Sequence, residues 1–299
     1  MEYIILVLSV VLATSKSLLS KVVKTPSERA YKTFFSNVII FLVAFGVVTL
    51  IGHKSLKNLE ELPIILSFFY ALFTVGAQIS FMQAITIGPI SFSSLLYFCS
   101  FLVPTIFGVV YYKESFHFVQ IIGIALIVLA LILSTEKGEK KLSGKWLIAI
   151  VISSFCSGMV AVVQLLFVKD YPQVSLDTFL GVAFGFMAVL SVTVFILLIY
   201  IEKKRCNKEK ITIKLIPNKK EIFPLLVLGF VIGLVNKTNT YLAGVLPSII
   251  FFPVMHGGTI FLTSILSMLL FKENLSIKQK IALLVGVVAI LCIGIGKNL

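Results

Sequence analysis

The chain has 299 residues, 59% of them hydrophobic and only 13% charged, with a mean hydropathy of +1.08. Soluble domains carry about 25% charged residues, so this composition excludes a water-soluble globular fold and indicates a membrane protein. The formal net charge of +13 does not call for nucleic acid, because the basic residues gather in loops between apolar runs.

A membrane span needs about 20 apolar residues to cross a core of roughly 30 Å. Ten runs qualify: 3–20, 33–52, 62–86, 89–111, 117–134, 146–168, 175–201, 222–245, 247–271 and 277–296. The first opens on Met1-Glu2-Tyr3, with no basic residue ahead and no small-residue cleavage site behind. It is therefore expected to be a retained helix and not a signal peptide. Its Lys16 stands close to Lys21 and is expected to snorkel to the membrane surface. Span three carries Gln78 and ends at the turn Gly88-Pro89. Span four carries Tyr97, and Pro104 predicts a kink there. After it comes the polar turn "YKESFHFVQI", with Lys113 and Glu114.

Span six holds Gln164 and a small-residue cluster, Ser153, Ser154, Ser157 and Gly158, expected to allow close helix packing. Asp170 and Asp177 are assigned to the loop that follows. The stretch 202–221 is the longest polar piece and strongly basic. Span eight contains Asn236, Lys237, Asn239, Thr240 and Tyr241, and ends at Pro247-Ser248. Span nine contains Pro253, His256, Gly257 and Gly258. Span ten follows the second polar turn, "FKENLSIKQK", with Lys272 and Glu273.

The two polar turns are one turn used twice. A shift of 159 residues places Lys113-Glu114 on Lys272-Glu273, Gln120 on Gln279 and Gly88-Pro89 on Pro247-Ser248. Spans three to five thus recur as spans eight to ten. Five is odd, so the second copy enters the membrane from the opposite side. The predicted fold is an all-α polytopic membrane protein of ten transmembrane helices. It comprises two inverted five-helix repeats, 1–134 and 145–299, joined by a linker at 135–144. Glu114 and Glu273 are expected to cap helices in these turns.

An apolar helix, a short Gly/Pro turn, a second helix ending in Lys-Glu and then Gln-x-x-Gly resembles the EamA-like branch of the drug/metabolite transporter superfamily. The residues that carry the resemblance are "GPISFSSLLYFCSFLVPTIFGVVYYKESFHFVQIIG" and "LPSIIFFPVMHGGTIFLTSILSMLLFKENLSIKQKIA". Ala282 stands where the second motif usually has glycine, and is still small. The resemblance implies a transporter whose central cavity is lined by spans three, four, eight and nine. It leaves the substrate open, since members of the superfamily move amino acids, other metabolites, phosphorylated sugars, nucleotides or lipids.

Orientation follows from loop charge. Nineteen basic residues fall in the odd-numbered loops and five in the even-numbered loops and tails. The protein is expected in the plasma membrane as a multi-pass protein; the count predicts both termini outside, whereas the resemblance implies termini inside.

Charged groups inside a span are costly and are functional candidates. Lys237 lies ten residues before Pro247 and His256 nine after it, so both fall about 14–15 Å below that turn. The repeat places Gln78 and Tyr97 at the matching positions of the first half. The substrate-binding candidates are Lys237, His256, Gln78, Tyr97, Asn239 and Tyr241; for each, an interhelix hydrogen bond is the rival role. Since no acid is expected well inside a span, Lys237 should present an uncompensated positive charge to a carboxylate or phosphate.

The ten spans leave no room for a soluble catalytic domain, so no enzyme is expected. The scattered Cys99, Cys156, Cys206, Cys292, His53, His117 and His256 predict no metal, disulfide or cofactor. The expected function is secondary transport of a small metabolite, an amino acid or another carboxylate-bearing solute, by alternating access. Expected partners are that small molecule and membrane lipids, without nucleic acid; the assembly is a monomer or homodimer. The alternatives are a lipid-linked phosphate translocase and a non-transporting receptor or scaffold.

Overall fold

A computed structural model describes residues 1–22, 30–52, 61–88, 90–134, 143–205, 219–271 and 276–295. The described residues form helices without strands. In chain order these are α1 (Glu2–Val22), α2 (Ala30–Gly52), α3 (Glu61–Ile87), α4 (Ile90–Phe98), α5 (Leu102–Tyr111), α6 (Phe118–Ser134), α7 (Gly144–Asp170), α8 (Leu176–Arg205), α9 (Lys219–Val245), α10 (Ser248–Phe271) and α11 (Ile277–Ile295). Among the described residues, nine segments are long and apolar enough to cross a membrane, with α4 and α5 acting as one. The tenth, α6, is apolar and 17 residues long. The chain is thus an all-helical polytopic membrane protein.

The fourth span breaks where its sequence demands it. Pro104 cannot donate to the carbonyl of Ser100, and its ring crowds that group. The turn Cys99–Phe101 tightens to a 3-10 helix as a result, separating α4 from α5. Pro253 sits only six residues into α10, and that helix continues through it.

Two faces of the bundle follow from the alternation of spans. The terminal face carries the start of α1 and the end of α11; the basic face carries the other set of loops. On the basic face, Trp146 in the first turn of α7 donates its indole N–H to Ser93 at 2.9 Å. It lies so close that a side chain on Gly88 would stand 1.9 Å from its ring. Hence the Gly88 turn has no room for another residue.

The terminal face has its own lock. Lys113 adopts the left-handed conformation at φ 52°, which turns the chain sharply after α5. Glu114 then reaches the start of α10, where it accepts the backbone N–H of Ser248 at 2.6 Å and its hydroxyl at 3.1 Å. Glu114 also forms an ion pair with Lys169 at the end of α7. Glu114 therefore caps α10 and not, as expected from the sequence, the helix that follows it, and the contact spans the two halves of the chain. Glu273 lies outside the described residues. Behind this lock, Ile249, Ile250, Phe251 and Phe252 are all buried.

Packing between helices is crosswise. Helix α1 packs on α9 and α10, while α7 packs on α3 and α5; α2 packs on α9, while α8 packs on α3. The α2–α8 and α6–α11 pairs are the two other large contacts. The latter is close because Gly123 leaves room for the Ala289 carbonyl, 2.8 Å from where a side chain would begin. Gln120 and Gln279, 159 residues apart, make the same contact. Each side-chain oxygen accepts the backbone N–H three residues back, His117 or Ser276, at 2.9 Å. Both are the returning half of a capping box.

Candidate functional site

Polar side chains within the bundle fall into three groups. The first is a sealed network. Tyr70 of α3 donates to Asn236 of α9 at 2.5 Å, and Gln164 of α7 donates to the Tyr70 oxygen at 3.2 Å and to Thr240 at 2.9 Å. Tyr70, Gln164 and Thr240 are buried. Their donors and acceptors are spent on one another, as a low-dielectric interior requires. This network joins three helices and offers little to a solute.

The second group consists of paired struts. Gln78 of α3 accepts from Asn37 of α2 at 2.9 Å. Lys237 of α9 stands 2.7 Å from a carboxylate oxygen of Asp177, in the first turn of α8. The contact is an ion pair rather than an aligned hydrogen bond. This corrects the expectation that no acid reaches Lys237. Asp177 is helical, not in a loop, because α8 begins at Leu176; Gly52 at the end of α2 gives its side chain room. Asn239 is likewise engaged, accepting from Ser9 of α1 at 2.6 Å, while the Ser9 and Thr238 hydroxyls meet at 2.8 Å. Tyr241, one turn beyond Lys237, remains 43% exposed. It is not drawn into any of these groups.

The third group surrounds the break in the fourth span. Tyr97 in the last turn of α4 packs its ring 4.8 Å from Phe81 and hydrogen-bonds with Ser157 of α7. Phe101, one turn on, lies 5.8 Å from the His256 ring. The Nδ1 of His256 meets the Phe252 carbonyl at 3.0 Å, which leaves Nε2 available. Tyr97, Gln78 and His256 are half-buried, so each keeps some accessible surface. The structure thus brings His256 and the Tyr97–Phe101 turn together, and ties Gln78, Lys237 and Asn239 to neighbouring helices.

Sequence reasoning missed Asn37 and Asp177 as partners. Neither has a local signal, since the helix beside each is set by tertiary packing. It also missed Tyr112, whose hydroxyl donates to Asp170 at 2.9 Å and whose ring carries the Lys169 ammonium 4.3 Å from its centre. Burial, and next the nearby Asp170, push the Tyr112 phenol above its ordinary range. It therefore stays a proton donor in this terminal-face cluster of Tyr112, Glu114, Lys169, Asp170 and Ser248. Among the described residues no group of His, Cys, Asp or Glu is arranged to hold a metal ion.

A family model described as the EamA-like transporter family matches residues 1–135. No curated protein matches the chain. A solved crystal structure of a protein, 13% identical, superposes with a TM-score of 0.75 over 99% of this chain and 98% of that one. At that identity the likeness concerns the fold.

Proposed function

We propose, for a chain that over residues 1–135 belongs to the EamA-like transporter family of the drug/metabolite transporter superfamily, a specific mode of transport. A membrane transporter of that type is what the family implies. The finer reading is alternating access by two inverted five-helix halves, 1–134 and 145–299, carrying a small carboxylate-bearing metabolite.

The observation that carries this reading is the unsealed polar surface beside a broken helix. His256, Tyr97 and Gln78 sit at mid-depth in helices of both halves and remain half-buried, whereas the Tyr70–Gln164–Thr240 network is closed off. Backbone irregularity at membrane depth is tolerated where it lines a cavity, and the Cys99–Phe101 turn is such a place. Two features support the inverted repeat: the crosswise helix pairs and the matching Gln120 and Gln279 caps. In this account Lys237 and Asp177 form a strut, and Asn239 packs α9 on α1. The substrate contacts are His256 and Tyr97, while Gln78 is held by Asn37 as the matching strut of the first half. The Glu114 lock, with the buried residues behind it, is a closed gate on the terminal face.

A ligand-stability screen of the purified protein tests the substrate class. Amino acids and organic acids are expected to raise the melting temperature more than amines of similar size. A response confined to amines would reject the carboxylate.

An outward terminal face in the plasma membrane is proposed, the orientation on loop charge. A cysteine placed at Asn207 in a Cys206→Ser background should resist an impermeant maleimide in intact cells and react once they are broken. Labelling from outside would reverse the orientation.

A further inference from the structure

We propose that Lys16, with His256 Nε2, forms the subsite that binds the substrate's anionic oxygens; this rests on the transporter reading above. Helix geometry carries the inference. Successive residues rotate by about 100° around an α-helix, so residues seven apart share a face. Ser9 is fully buried, and its hydroxyl contacts Thr238 and Asn239 of α9. Lys16 lies seven residues on, along that same inward face. The lipid-facing stripe of α1 runs through Ile4, Val7, Leu8 and Val11, all exposed, roughly 130° away by the same rotation. Despite its inward direction, Lys16 is exposed. An exposed side chain on the packed side of a helix borders a space between helices, so Lys16 does not snorkel into the lipid interface.

The surroundings fit an anion. Helix α1 packs on α10, where Val10 lies against Gly258, two residues beyond His256. Among the described residues Lys16 makes no ion pair, in contrast to Lys237 with Asp177 and Lys169 with Glu114. Lys16 borders that space between helices without a counter-charge, which a bound carboxylate or phosphate would supply. His256 adds a donor or acceptor at Nε2, since its Nδ1 is held by Phe252. Lys16 is six residues from the end of α1 at the basic face, about 9 Å along the helix. It thus lies on the side of the bundle opposite the Glu114 lock.

The test uses the purified full-length protein in lipid nanodiscs. Probes are sodium succinate, inorganic phosphate, dihexanoylphosphatidate and the uncharged control 1,4-butanediol, read by thermal shift at graded concentrations. Succinate or phosphate should stabilise the parent protein and Lys16→Arg, and butanediol should not. In Lys16→Gln the apparent affinity should fall by about 10- to 150-fold, the range expected for one charge-assisted hydrogen bond. The melting temperature without probe should be unchanged, which a purely structural lysine would not allow. Stabilisation by the phosphatidate alone, lost in Lys16→Gln, would keep the subsite but transfer it to a lipid headgroup and reject the soluble metabolite. Undiminished stabilisation of Lys16→Gln would remove Lys16 while leaving the transporter reading intact. No stabilisation of the parent protein by any anion would overturn the subsite.

As an independent check, Lys16→Cys should react with a water-soluble maleimide above the parent protein's background, and Val11→Cys should not. The reverse pattern would place Lys16 in lipid and end the proposal.

Discussion

Lys237→Met is expected to melt well below the parent protein, with or without ligand. The substitution removes the partner of Asp177, whose carboxylate sits in the first turn of α8 with 18% of its side chain accessible. Removing one member of a buried pair costs about 3–5 kcal/mol, and of a surface pair about 0.2–1. This pair lies between those limits, so a loss on the order of 2–3 kcal/mol is expected. The decisive comparison is a double variant. In the first half, α2 and α3 are joined by Asn37 and Gln78 at 2.9 Å, a neutral strut between the helices that correspond to α8 and α9. Asp177→Asn combined with Lys237→Gln should rebuild such a strut and recover most of the lost stability. Thermal unfolding of the two single variants and the double variant measures this. Additive losses would show that the two residues do not act as a pair.

Glu114→Gln should loosen the terminal face without unfolding the protein. Glu114 holds three elements together: the turn after α5, the end of α7 through Lys169 and the start of α10 through Ser248. Hydrogen bonds to a charged group contribute about 1.5–3 kcal/mol each. Loss of one such bond favours the state opened at the terminal face by roughly tenfold or more, since each 1.4 kcal/mol is a factor of ten. Ile249, one residue past Ser248, is only 3% exposed. A cysteine there should react with an impermeant thiol reagent about ten times faster in Glu114→Gln. An unchanged rate in a stable variant would confine Glu114 to capping α10.

Much of the architecture was legible because its causes are local. Hydropathy located every span, and Pro104 marked the break in the fourth. Gln120 and Gln279 were recognisable as a repeated feature, and their capping contacts depend on residues only three positions away. The small cluster near Ser153 was readable too: Ser153 donates to the Ala77 carbonyl at 2.8 Å, and a side chain on Gly158 would meet Val103 at 2.5 Å. Contacts that join distant parts of the chain were not legible. Glu114 was expected to cap its own following helix, yet it caps α10, because the left-handed Lys113 redirects it. The neutralisation of Lys237 was hidden because Asp177 is near only once α8 packs against α9. Lys16 was not legible either: residues 4–13 are apolar on nearly every side, so the exposed set Ile4, Val7, Leu8 and Val11 and the buried Ser9 are distinguished only by packing.

Transport by this chain requires a solute to pass through a site closed at one face and opened at the other. Flux through purified protein in liposomes measures it most directly. Vesicles loaded with an unlabelled carboxylate selected by thermal shift should take up the labelled solute in a saturable manner, above protein-free vesicles. Lys16→Gln should reduce this uptake strongly at low solute concentration. A properly reconstituted protein that binds the same solute yet gives no flux above empty vesicles would contradict transport and leave a receptor.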